Sequence, residues 1–110
     1  MIRKTFVETE RKSVVQVTFT LPSGLQTETI HLVGDFNHWN PSSHPFQHND
    51  EGKQSITLEL DPGRAYQFRY LRNGAEWMHD SQADAFVYNP NCTYNFVVIT
   101  DPTFKRYSGA

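Results

Sequence analysis

Leu60-Asp61-Pro62-Gly63-Arg64-Ala65-Tyr66-Gln67-Phe68-Arg69-Tyr70-Leu71-Arg72-Asn73-Gly74 reads as turn, strand, turn. Asp61-Pro62-Gly63-Arg64 has the form of a type II turn, with Pro at the second position and Gly at the third. Tyr66, Phe68 and Tyr70 then alternate with Gln67, Arg69 and Leu71, the period of a half-buried strand. Asn73-Gly74 marks a hairpin, and two loop lengths are open. A two-residue loop of Asn73-Gly74 sets Trp77 opposite Tyr70, on the core face. A three-residue loop of Arg72-Asn73-Gly74, with Gly74 left-handed, sets Trp77 opposite Arg69. A slip of one residue exchanges the faces. Tyr66, Phe68 and Tyr70 are the better core set, so Arg69 faces outward, and the three-residue loop brings Trp77 beside it. A Trp beside an Arg on a solvent face has the character of a binding platform. The alternative is a Trp77 that fills the core or covers its edge.

The same alternation extends outward from this stretch. Val15, Val17, Phe19 and Leu21 alternate with polar Gln16, Thr18 and Thr20, and Pro22-Ser23-Gly24 stops the run. Ile30, Leu32 and Gly34 form a second set. Ile56, Leu58 and Leu60 form a third, and Asn95 to Thr100 a last strand before Asp101-Pro102. Turn chemistry separates the runs and no long amphipathic helix intervenes. An all-β antiparallel sandwich follows. The expected organisation is one domain over residues 1–110, with its core at about 13–100 and looser ends. Residues 40–54 and 79–93 read as irregular.

Composition narrows the function classes. Lys plus Arg total 10 and Asp plus Glu 12, a net charge of −2, with no basic run. Nucleic-acid affinity rests on neutralising phosphates, and no stripe is present to do so, so no nucleic-acid partner is expected. No stretch approaches a membrane span, and no membrane partner is expected. Cys92 is the only cysteine, which excludes an internal disulfide and a cysteine-built zinc site. Without a signal-like apolar run after Met1-Ile2-Arg3-Lys4, the expected location is cytoplasmic. His31, His38, His44, His48 and His79 match no ligand spacing, so no metal and no cofactor are expected. Asp35, Asp50, Asp80 and Asp84 could supply a carboxylate pair for glycoside hydrolysis. Asp35 and Asp80 fit better as turn-holding residues that bond the backbone, and no nucleophile elbow or phosphate loop appears. The reading is a binding protein, not an enzyme.

Val33-Gly34-Asp35-Phe36-Asn37-His38-Trp39-Asn40-Pro41 bends the chain sharply after the second strand. Phe36 suits a plug for the end of the sandwich, and Trp39, flanked by amides and a proline, suits exposure. This VGDFNHWNP stretch resembles the hallmark of the family 48 carbohydrate-binding modules, the isoamylase-type early-set domains. These stand at the front of glycoside hydrolase family 13 branching and debranching enzymes and form the glycogen-binding domain of AMP-activated protein kinase β-subunits. The resemblance runs from about Val14 to Val98. It includes LDPGRAYQFRYLRNG, EWMHD (Glu76 to Asp80) and the asparagine of the final strand. Small stand-alone bacterial early-set proteins, which also begin with a short basic segment before the first strand, are similar.

The resemblance implies an immunoglobulin-like fold and non-catalytic binding of an α-glucan: glycogen, starch or maltooligosaccharides. It carries the sugar site onto Trp39, Trp77, Arg69 and Asn95, with Asn37, Asn91 and Thr93 as further candidates. One departure is plain. Kinase-type members prop a leucine into the curve of the glucan, whereas Asn89-Pro90-Asn91-Cys92-Thr93 has none. The competing implication is a regulatory module that docks on a separate glycogen-metabolising enzyme or kinase-like partner. Edge-to-edge pairing makes the expected state a monomer or a weak dimer.

Overall fold

The computed structural model describes residues 1–25, 27–78, 82–88 and 94–104. Its strands are β1 (Ile2–Glu8), β2 (Ser13–Thr20), β3 (Ile30–Gly34), β4 (Gln47–His48), β5 (Gln54–Leu60), β6 (Ala65–Arg72), β7 (Glu76–Met78), β8 (Ala85–Tyr88) and β9 (Tyr94–Ile99). They form two antiparallel sheets. One has the order β1-β2-β5-β4, the other β3-β6-β9-β8, with β7 added to β6. This is the expected immunoglobulin-like antiparallel sandwich. No helix among the described residues is long and apolar enough to cross a membrane.

Alternation selects the core. Val15, Val17 and Phe19 of β2 are fully buried and pair with Leu60, Leu58 and Ile56 of β5. Ile30 and Leu32, Phe68 and Tyr70, and Phe96 and Val98 face them from the second sheet. The Phe19 ring meets Phe68 edge-on at 5.1 Å and Tyr70 at 6.4 Å, so the two inner faces interlock. Each side chain so buried contributes about 1.5–3 kcal/mol. Gly63, with φ of 75°, supplies the positive dihedral that its turn requires.

Three strands lie where the alternation is weak. The end expected to be loose contains β1, which pairs with β2 from Ile2↔Phe19 to Glu8↔Ser13. The stretch at 40–54 contains β4 and also covers the edge of β3. There Leu32 N–H donates to His44 C=O at 2.9 Å, and Phe46 N–H to Ile30 C=O at 2.8 Å. The stretch at 79–93 contains β8, paired with β9. All three are edge strands or short strands whose side chains are half exposed, so no clean apolar face marks them. Lys4 of β1 joins Asp84, just before β8, at 2.7 Å, and so spans the two sheets.

Candidate functional site

The loop after β3 is built on Gly34. A Cβ there would lie 2.5 Å from Gln67 O and 2.9 Å from Phe68 Cβ, so only glycine lets β3 run this close to β6. A single turn of 3-10 helix follows, Asp35–Asn37. Asn37 is 8% exposed. Its Oδ1 accepts from Gly34 N–H at 3.0 Å, and its Nδ2 donates to Leu32 C=O and Ser43 Oγ, with His44 Nδ1 3.1 Å away. Asn37, a candidate sugar contact on sequence grounds, is therefore engaged inside the loop. Its amide faces inward because the orphan backbone groups of the sharp bend need it.

His38 and Trp39 follow with φ of 54° and 57°. Two successive left-handed non-glycine residues cost on the order of 1–3 kcal/mol each and persist only where the surroundings enforce them. Here Trp39 N–H donates to Gly34 C=O at 2.9 Å, and the indole Nε1–H donates to Asp35 Oδ1 at 2.9 Å. The other carboxylate oxygen, Oδ2, accepts from Gln67 N–H of β6 at 2.8 Å. Asp35 thus bonds the backbone of β6, 32 positions away, rather than that of its own turn, and also fixes the half-buried Trp39 ring.

The hairpin corrects one register. Trp77 pairs with Leu71, not Arg69, and Arg72 pairs with Glu76. The loop is Asn73-Gly74-Ala75, one residue later than expected. Asn73 and Gly74 are both left-handed, and Ala75 N–H donates to Arg72 C=O at 3.1 Å. The cause is tertiary. Asn73 N–H donates to Thr29 C=O at 2.7 Å, and Asn73 Oδ1 accepts from Thr29 N–H at 3.0 Å. The β3–β6 ladder therefore holds Arg72 in the strand, paired with Ile30. The face is unchanged, because Leu71 and Arg69 lie two residues apart. Trp77 is 43% exposed, and the Arg69 guanidinium lies 4.5 Å from its ring centroid, across the diagonal.

Arg69 has no ion-pair partner among the described residues, and its Nε is buried without a hydrogen bond. Partial burial draws its pKa below the usual arginine range. A cation stacked on an indole and lacking a carboxylate suits a neutral, hydroxyl-rich ligand. Asn95 precedes Phe96, which pairs with Phe68, so the register brings Asn95 alongside Arg69. Asn95 Nδ2 donates to Gln67 Oε1 at 3.0 Å. The structure therefore links Trp39, Asp35, Gln67 and Asn95 by hydrogen bonds, and sets Arg69 and Trp77 on the same outer face. Asn91 and Thr93 lie outside the described residues. Gln67 was not among the sequence candidates, although it shares the outward parity of Arg69.

Apart from this face, a groove of about 440 Å³ touches Met1, Arg3, Thr20, Lys53, Tyr70 and Met78. An open aromatic face with amides and a guanidinium at its side can lie along a polymer, stacking apolar ring faces and bonding hydroxyls. A family model described as the glycogen recognition site of AMP-activated protein kinase matches residues 15–105. No curated protein matches the chain. The matched segment takes in both sheets from β2 onward, the Trp39 loop, the Trp77 hairpin and Asn95, and the chain belongs to the family of the glycogen recognition site of AMP-activated protein kinase, a carbohydrate-binding module.

Proposed function

We propose that this protein binds α-glucan, as glycogen, starch or maltooligosaccharide, without catalysis. Trp39 and Trp77 stack on glucose rings, and Arg69 and Asn95 bond the hydroxyls. Asn91 and Thr93, in the stretch where kinase-type members carry leucine, are further candidates for polar contacts to the sugar. The observation that carries the reading is the Arg69–Trp77 stack beside Asn95, with no carboxylate paired to the cation among the described residues. The indole Nε1–H of Trp39 is held by Asp35, so Trp39 contributes its ring face and not its donor. Hydroxyls exchange water for protein bonds at about 1 kcal/mol net each. Affinity for a short oligosaccharide is therefore weak, on the order of micromolar to millimolar, and rises on a multivalent polymer.

Glycogen pull-down and maltoheptaose titration by tryptophan fluorescence test this reading. The unaltered chain should be retained and competed off by maltoheptaose. Trp39→Ala and Trp77→Ala should each abolish retention while keeping the fold. Full retention of both folded variants would overturn the site.

A second reading has its own observation. Phe86, Val87 and Tyr88 on edge strand β8, with Tyr94 on β9, are exposed. Such an edge suits docking on a separate glycogen-metabolising enzyme in the cytoplasm, or weak dimerisation. Co-purification with an enzyme, without glycogen retention, would favour it.

A further inference from the structure

The geometry points to Gln67 as a further glucan-contacting residue, at the centre of the face between Trp39 and Trp77. The assignment rests on the α-glucan reading above. Gln67 stands on the outward side of β6, two residues before Arg69 and four before Leu71, the cross-strand partner of Trp77. Its main chain is tied toward the Trp39 side, because its N–H donates to Asp35 Oδ2 at 2.8 Å and Asp35 Oδ1 receives the Trp39 indole. Its side chain is tied toward the other side, because its Oε1 accepts from Asn95 Nδ2 at 3.0 Å.

That second bond orients the amide. With Oε1 committed to Asn95, the Nε2 group of Gln67 turns away from it with two N–H donors, and it has no protein partner among the described residues. A half-buried amide with an unused donor, pinned at both ends, is preorganised for an acceptor. Ordering it upon binding costs little further side-chain entropy. A glucan chain that spans the two indoles presents hydroxyl oxygens over this strand. One of them accepts from Gln67 Nε2, and its own hydrogen remains to donate onward. Gln67 thereby discriminates a hydroxyl-bearing chain from a merely apolar one, which the two ring faces alone cannot do.

The test is a maltoheptaose titration of the full chain and of Gln67→Met, followed by tryptophan fluorescence. Gln67→Met conserves length and removes the donor. Affinity should fall about fivefold, the factor that one hydrogen bond of ordinary net strength supplies. The same comparison in an Asn95→Ala background should retain at least about a threefold loss. Gln67→Thr, strand-compatible and too short to reach the sugar, replaces Gln67→Met if thermal melting shows that the latter is unfolded. Unchanged affinity in the folded variant, with binding by the unaltered chain intact, would overturn this assignment alone. So would a loss that vanishes in the Asn95→Ala background, since Gln67 would then only position Asn95. No binding by the unaltered chain would overturn the α-glucan reading together with this one.

Discussion

Trp39 occupies a backbone conformation that its side chain disfavours, and Asp35 is the residue that gives the conformation a use. One carboxylate bonds both the indole and a β6 N–H, so the ring plane is set relative to the sheet and not to its own loop. Asp35→Ala leaves the Gln67 N–H without its acceptor and frees the indole. In a Trp77→Phe background, which isolates the emission of Trp39, the variant should show a red-shifted maximum as the ring gains water. Maltoheptaose affinity should fall about fivefold or more, since the ring must then be ordered on binding. An unshifted emission maximum would show that Asp35 does not hold the ring. Trp77 is fixed differently. A guanidinium covers part of its surface, and Lys in place of Arg69 would offer a point charge without the planar stack.

At the scale of elements, the close pairing of β3 with β6 decides where the Trp39 loop begins. Gly34 is extended, with φ of −176°, so its requirement is space rather than dihedral freedom. Gly34→Ala drives a Cβ against a backbone carbonyl that cannot rotate away. Overpacking of this kind costs typically about 1–3 kcal/mol, and the upper half of that range is expected here in urea denaturation. Loss below about 0.5 kcal/mol would show that the strands separate freely. The hairpin teaches the complementary lesson. Alternation and the Asn-Gly pair set Arg69 outward and left two loop lengths open, of which the three-residue loop puts Trp77 on the outer face. They were not enough to set its partner, because the ladder to Thr29 moved the loop by one residue. Strands β2, β3, β5, β6 and β9 were legible for the same reason that β1, β4 and β8 were not. The former each supply buried residues of the core, whereas the latter sit at or near sheet edges with mixed exposure.

Across the whole molecule, the two sheets meet through an aromatic and aliphatic core and are tied at one margin by Lys4 and Asp84. The Asp84 side chain is only 8% exposed, and its Oδ2 also accepts from Ile99 N–H at 2.7 Å. Asp84→Ala strands an N–H and a half-buried ammonium together. Breaking a fully buried pair costs about 3–5 kcal/mol. With Lys4 at 20% exposure, a loss of about 2–3 kcal/mol is expected by chemical denaturation. A variant as stable as the parent would show that the sandwich margin does not depend on this pair.

The local order of residues by itself determined the sandwich, the inward set Tyr66, Phe68 and Tyr70, and the outward direction of Arg69. Side-chain direction in a strand has a period of two and needs no knowledge of distant neighbours. Tertiary structure alone decided that Trp77 stands diagonal to Arg69. It alone decided that Asp35 and Gln67 join Trp39 to Asn95. Those outcomes depend on hydrogen bonds between residues separated by 44, 32 and 28 positions in the chain, and no local pattern encodes which distant group will satisfy a given donor.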